Sequence, residues 1–198
     1  MRSIRGARAA LAAAGLLCLG TSAHAGPPDA VTMIAGTCVG CHGAGGTSRG
    51  PASPTIAGMA EQTFVDAMKG FQDGSRPATV MDRIAKGYTE EEIKALAGYF
   101  GKLPFGRAPN QVDAEKVKAG KKLHGEFCKK CHADNGKKDE DGSNVLAGQW
   151  LPYLKFAMED FTGGKRKMEK KMKAQVEDVQ KKDPGGLEAL MNFYASQK

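Results

Sequence analysis

An all-α chain of two tandem domains related by internal duplication is the fold class that three features of the sequence predict. Apolar side chains recur at helical spacing, and strand-like alternation is almost absent. The segment "CVGCHGAGG" that begins at Cys38 returns as "CKKCHADNG" from Cys128, ninety residues on. Between the copies, "KLPFGRAPNQVD" holds two prolines, a glycine and polar residues. The boundaries that follow are a first domain over 26–105, a linker over 106–113 and a second domain over 114–198.

The first 25 residues stand apart. Arg2, Arg5 and Arg8 precede an apolar run from Ala9 to Leu19, followed by the small-residue pattern Ala23-His24-Ala25. That is the layout of a secretory signal peptide (1–25) cleaved after Ala25, and it sends the mature chain to the periplasm. The run falls short of the roughly 20 apolar residues a membrane-spanning helix needs, which argues against an anchor. Cys18 leaves with the signal, and Gly15-Leu16-Leu17 before it matches lipoprotein processing poorly. Cleavage removes three arginines and no acids, so the formal charge falls from +7 to +4. The basic runs Lys165 to Lys173 and Lys181-Lys182 are interleaved with Glu169, Glu177 and Asp178, a solvated helix face rather than a nucleic-acid track.

Each half then reads as three helices. An attachment helix spans about Asp29 to Cys41, a middle helix about Glu61 to Phe71, and a closing helix about Thr89 to Phe100. Thr89, followed by three acids, supplies a capping hydroxyl and negative charge at the helix start. The second set spans about Ala114 to Cys131, Leu151 to Phe161 and Leu187 to Ser196. An offset of 90 maps Ile56-Ala57-Gly58 on Leu146-Ala147-Gly148, Phe71 on Phe161, Gly74 on Gly164 and Arg76 on Arg166. "ALAGYF" answers "ALMNFY" at an offset of 94, and the inserted residues fall mostly in the loop-like "KKDPGG".

Both cysteine groups, Cys38-Val39-Gly40-Cys41-His42 and Cys128-Lys129-Lys130-Cys131-His132, have the C-x-x-C-H spacing for covalent c-type haem. Two thiols one turn apart can each bond a vinyl arm of one porphyrin, and the next residue sets an imidazole under the iron. A thioredoxin-like pair needs no trailing histidine, and a zinc site would have to draw its ligands from these same clusters. Cys38, Cys41, Cys128 and Cys131 are therefore read as anchors of two haem c groups, with His42 and His132 as proximal ligands. Of the four histidines, His24 leaves with the signal and only His124 remains. It lies on the helix of the second motif, as a packing or hydrogen-bonding residue. Methionine is then the natural sixth ligand. Met81 is preferred to Met59 and Met68, because it follows the Gly74 to Pro77 loop and opens "MDRIAKGY". Met172 is preferred to Met168, because its distance from Phe161 matches the spacing of Met81 from Phe71 within one residue. About 85 residues per half bury little apolar surface on their own, so the porphyrins are expected to supply much of each core.

Read this far, the chain resembles the dihaem cytochrome subunit of flavocytochrome c sulfide dehydrogenase. The resemblance covers nearly the whole mature chain, through "GPASPTIAGM", "RIAKGY", "AGYF", "KLHGEFCKKCH", "LAGQWLPYLKFAMEDF", "MEKKM" and "FYASQ". It implies two tandem cytochrome c-like haem domains, and a periplasmic heterodimer in which a separate FAD-containing subunit oxidises sulfide and passes electrons to the haems. No G-x-G-x-x-G follows a strand here, so the FAD belongs to the partner. A small cytochrome is the expected downstream acceptor. Trp150 and Tyr153 are expected to pack, or to line the second haem or the subunit contact. A free dihaem carrier serving a terminal oxidase has the same duplicated fold. A dihaem peroxidase would need an exchangeable iron and a distal acid–base group, for which only His124 is in reserve.

Overall fold

The computed structural model describes residues 29–139 and 142–198; the signal peptide expected at 1–25 lies outside them. The described residues form helices and connecting loops, with no strand among them. In the first half α1 (Ala30–Gly36) starts at Asp29, whose carboxylate accepts from Thr32 N at 2.8 Å. Next come α2 (Val39–His42), α3 (Glu61–Asp73), α4 (Met81–Ile84) with a 3-10 turn to Gly87, and α5 (Glu90–Gly101). Gly74, at φ +79°, ends α3 in the left-handed conformation that glycine adopts without strain. Thr89 and Glu92 form a reciprocal capping box on α5.

The second half repeats the plan. α6 (Ala114–Leu123) is capped by Asp113 and runs into a π-helical turn, His124–Cys128. α7 (Ala133–Gly136) is one turn interrupted by left-handed backbone at Asp134 and Asn135. Then follow α8 (Leu151–Thr162), α9 (Lys170–Lys182) and α10 (Gly186–Ser196).

The duplication is visible bond by bond. Gly46 O accepts from Ile56 N and Ala57 N, and Gly136 O accepts from Leu146 N and Ala147 N. Gly58 N donates to Phe100 O at 2.9 Å, Gly148 N to Tyr194 O at 2.8 Å. Each half has its own apolar cluster. Phe64, Ile93, Leu96 and Phe100 centre the first, with Phe64 and Phe100 stacked at 5.8 Å; Leu123, Leu154, Val179, Leu190 and Phe193 centre the second. In the second, α6 crosses α10 at Gly120, where a Cβ would stand 2.1 Å from the Ala189 carbonyl oxygen.

Three elements depart from expectation. The first attachment helix breaks at Thr37-Cys38 instead of running to Cys41. The second passes through the π turn, which re-aims the chain just ahead of the cysteines. The residues added to the second copy lengthen α9, which holds Lys181 and Lys182 inside its last turn. "KKDPGG" is therefore loop only from Asp183 to Gly185. In the first half Gly87 stops the equivalent segment early, whereas 170–182 contains neither glycine nor proline.

The halves meet through polar contacts. Gln149 and Thr55, both buried, exchange hydrogen bonds: Thr55 N to Gln149 Oε1 at 2.9 Å and Gln149 Nε2 to Thr55 O at 3.0 Å. Asp139 accepts from Ala60 N and the Thr63 hydroxyl. The Trp150 indole donates to Ser48 O and covers Gly50, where a Cβ would come within 2.3 Å of the ring.

Candidate functional site

One turn of backbone presents each motif. His42 N donates to Cys38 O at 2.9 Å and His132 N to Cys128 O at 2.9 Å, so both thiols and the imidazole leave a single turn. The four motif cysteines are free; Cys38 and Cys128 are half-buried against the two cores, and Cys41 and Cys131 are exposed. Burial pushes the Cys128 thiol up to about 11, which disfavours the thiolate a thioredoxin-like pair requires.

The histidines are held differently. His42 Nδ1 lies 2.8 Å from Pro54 O. A carbonyl only accepts, so Nδ1 carries the proton and the Nε2 lone pair is left for a metal. Burial lowers the pKa of His42 and of His132, favouring the neutral imidazole that a metal ligand must be. His132 Nδ1 is buried and finds no hydrogen-bond partner among the described residues. Asn144, at φ +62°, stands where the repeat places the counterpart of Pro54. These arrangements fit an iron-bound imidazole in each half, and the exposed and half-buried thiols fit porphyrin attachment. Pro54 was not singled out by sequence reasoning; its only signal is its position twelve residues after His42.

Among the methionines, Met59 and Met68 are buried core residues. Met81 is the first residue of α4, half-buried against the first core. Met168 directly precedes Glu169, the α9 cap, whose carboxylate accepts from Lys171 N and Met172 N; Met172 lies in the first turn of α9. Both are half-buried. Met81 opens α4, whereas Met172 is the third residue of α9 and Met168 stands two residues before that helix.

His124 is buried and packed. Its Nδ1 lies 3.0 Å from the Tyr194 hydroxyl and its ring 5.1 Å from that of Phe193. Burial, then Lys129, lowers its pKa. In the unfolded chain a histidine takes a proton near pH 6.5, whereas the folded chain resists until lower pH, so folding stability falls as pH drops below about 6.5. A His124→Gln variant keeps a polar side chain and removes the titration. Its urea midpoint is expected to change less than that of the parent between pH 7 and pH 5, and equal changes would count against the assignment. Trp150 and Tyr153 both pack between the halves, Tyr153 accepting from Arg76 Nη2 at 3.2 Å.

The surroundings of the motifs differ. Met33, Val39, Val80 and Ile84 are exposed around the first motif and Met81. Lys129 and Lys130 stand inside the second motif, and Lys170, Lys171 and Lys173 flank Met172. Residues 29–105 carry seven basic and eight acidic side chains; residues 114–198 carry eighteen and thirteen. No described helix is long and apolar enough to cross a membrane.

No protein-family model matches the chain. It is 31% identical over 152 residues to a thiosulfate dehydrogenase electron acceptor of Thiomonas intermedia, covering 72% of the chain and 68% of the relative. It is 32% identical over 161 residues to cytochrome c4 of Pseudomonas aeruginosa, covering 76% and 80%. Over 67 residues it is 48% identical to the cytochrome subunit of sulfide dehydrogenase of Chlorobaculum tepidum, a match spanning 34% of the chain and 60% of that subunit. The fold is similar to the crystal structure of cytochrome c4 from Pseudomonas stutzeri, with a TM-score of 0.74 at 24% identity over 88% of the chain and all of that structure.

Proposed function

The chain belongs to the cytochrome c4 family of dihaem electron-transfer proteins, and from that premise we propose that it is the periplasmic cytochrome subunit of a sulfide dehydrogenase. In this reading it forms a heterodimer with an FAD-containing subunit, accepts electrons from it and hands them to a small downstream cytochrome. The observation that carries the electron-transfer role is the repeated turn that presents two thiols beside an imidazole, with the Pro54 carbonyl fixing the His42 tautomer. The identity to the Chlorobaculum subunit supports the choice of dehydrogenase.

Cys38 and Cys41 anchor one haem and Cys128 and Cys131 the other; His42 and His132 are the proximal ligands, Met81 and Met172 the distal ones. Each haem iron supplies a one-electron Fe(III)/Fe(II) couple when bound. The chain's own part is to keep both imidazoles neutral by burial, to fix His42 in the Nε2-presenting form, to offer a soft thioether that raises the potential, and to wall off water. The lysines around the second motif suit a transient acidic carrier, which makes the second half the exit for electrons.

A free carrier is the second reading, favoured by the longer match to cytochrome c4. Isolation from periplasm under mild conditions, followed by sulfide, separates the two. Flavin absorbance from a second polypeptide and haem reduction on adding sulfide support the sulfide dehydrogenase. A lone haem protein with no flavin and no rapid response refutes it. Met172→Leu is expected to shift one haem to a five-coordinate, carbon monoxide-binding spectrum while Met168→Leu stays low-spin; the reverse result would move the ligand to Met168.

A further inference from the structure

We infer that Gln149, a residue of the second half, tunes the His42 imidazole of the first half through a single peptide group. His42 Nδ1 donates to the Pro54 carbonyl oxygen at 2.8 Å. The N–H of that same peptide group, carried by Thr55, donates to Gln149 Oε1 at 2.9 Å. Imidazole, peptide and side-chain amide thus form one chain of hydrogen bonds that crosses from half to half. An amide whose N–H is already bonded holds more negative charge on its oxygen and accepts more strongly. Gln149 therefore strengthens the acceptor that His42 faces.

The link is enclosed and held from several sides. Thr55 and Gln149 are 2% and 4% exposed, so water does not compete for these bonds. Gln149 Nε2 returns a bond to Thr55 O at 3.0 Å, which fixes both ends of its amide on one residue. The Thr55 hydroxyl donates to Gly106 O and accepts from Ser48 N, and Asn110 Nδ2 holds Gln149 O at 2.8 Å. The link also runs one way. The offset of 90 maps Gln149 on Met59 and Thr55 on Val145, both buried apolar side chains, so the reverse link has no amide at its end. His132 Nδ1 accordingly has no hydrogen-bond partner among the described residues.

The consequence falls on the first haem, and it rests on the haem reading proposed above. A firmly accepted Nδ1 proton makes the imidazole a stronger donor to iron, which favours Fe(III) over Fe(II) and lowers the potential. Gln149 is a positioning residue: it acts on His42 through the Pro54–Thr55 peptide, and it makes the first potential depend on the docking of the halves.

Gln149→Met tests this, because it places at 149 the side chain that the first half carries at 59. The midpoint potentials of both haems and the His42 Nδ1–H proton resonance of the reduced protein are recorded for parent and variant, each as isolated with both haems. Loss of the link is expected to raise the Fe(II)/Fe(III) ratio of the first haem about threefold at a fixed applied potential. That is a rise of about 30 mV, at about 59 mV per tenfold for one electron. The His42 resonance should move upfield, and the second haem should keep its parental potential.

Thr63→Val is the control for docking in general, since it removes a hydroxyl that Asp139 holds across the seam and leaves Gln149 in place. It is expected to shift neither potential. Parental values in Gln149→Met, a rise at both haems, or an equal rise in Thr63→Val would each overturn the inference. If Gln149→Met does not fold, Gln149→Asn stays polar and withdraws the amide by one methylene. The same upward shift, confined to the first haem, is expected there, and parental values would overturn the inference equally. A pyridine haemochrome assay showing fewer than two haem c groups per chain would sink the haem reading itself. Two haem c groups with unshifted potentials would sink the link alone.

Discussion

Replacing Cys128 and Cys131 together by alanine is expected to remove about half of the haem absorbance per chain and to leave the second half without fixed packing, while the first half keeps its own haem. The two apolar clusters share no residue, so loss of one porphyrin need not propagate. Within the second cluster, Phe127 and Cys128 pack against the core, and the Tyr194 ring lies 6.0 Å from that of His132. Taking away the porphyrin leaves these groups facing water. Haemochrome content per chain gives the first reading, and amide hydrogen exchange resolved by peptide gives the second. Protection in α6 and α10 should fall while α3 and α5 hold theirs. Full absorbance, or unchanged protection in α10, would refute the dependence.

Gly120→Ala is expected to destabilise the second half by about 3 kcal/mol, at the upper end of what overpacking costs. Two effects compete. Alanine in a helix interior gains about 1 kcal/mol over glycine. Against that, a Cβ at 120 meets the Ala189 carbonyl oxygen at 2.1 Å and Phe193 Cβ at 2.7 Å, and the first of these is backbone that cannot turn aside. The crossing of α6 and α10 would have to open. Gly36→Ala is the control, since nothing lies within 4 Å of a Cβ there. Guanidinium melts followed by circular dichroism should show a lowered midpoint for Gly120→Ala and none for Gly36→Ala. Equal midpoints in the two variants would show that α10 can move away without cost.

Much of the architecture was legible because it is written in local chemistry. Thr89 with three acids behind it announces α5, and Leu151 begins α8 where apolar spacing resumes. The repeat could be counted from the cysteines and glycines, and the structure restates it in paired hydrogen bonds. α9 was hidden because its exposed face is almost wholly lysine and acid, so only Val176 and Val179 signal burial. The π turn at His124–Cys128 has no periodic signature, since it is a local underwinding within an otherwise helical pattern. At the site, cysteine and histidine spacing located the two turns that each present two thiols and an imidazole. What spacing could not supply was partnership at a distance: the Pro54 carbonyl under His42, the Gln149 amide against Thr55, and the Arg76 guanidinium on the Tyr153 hydroxyl. The last two depend on how the halves dock, which no stretch of either half encodes alone.

The docking of the halves also carries a history. If two identical copies met about an axis, every contact would occur twice. Asp139 holding Ala60 N would be matched by residue 49 holding residue 150. Here that second place is taken by Trp150 lying over Gly50, a wholly different contact at nearly the same spot. In a homodimer a substitution lands on both sides at once, so an improvement in one place is a disturbance in the other. Joining the copies in one chain lifts that restriction. Arg49 and Asp139, or Ala60 and Trp150, can then specialise separately while Arg76 and Arg166, which line one groove, remain the same residue. The linker thus does more than tether: it turns a symmetric pair into two sites free to evolve different tasks.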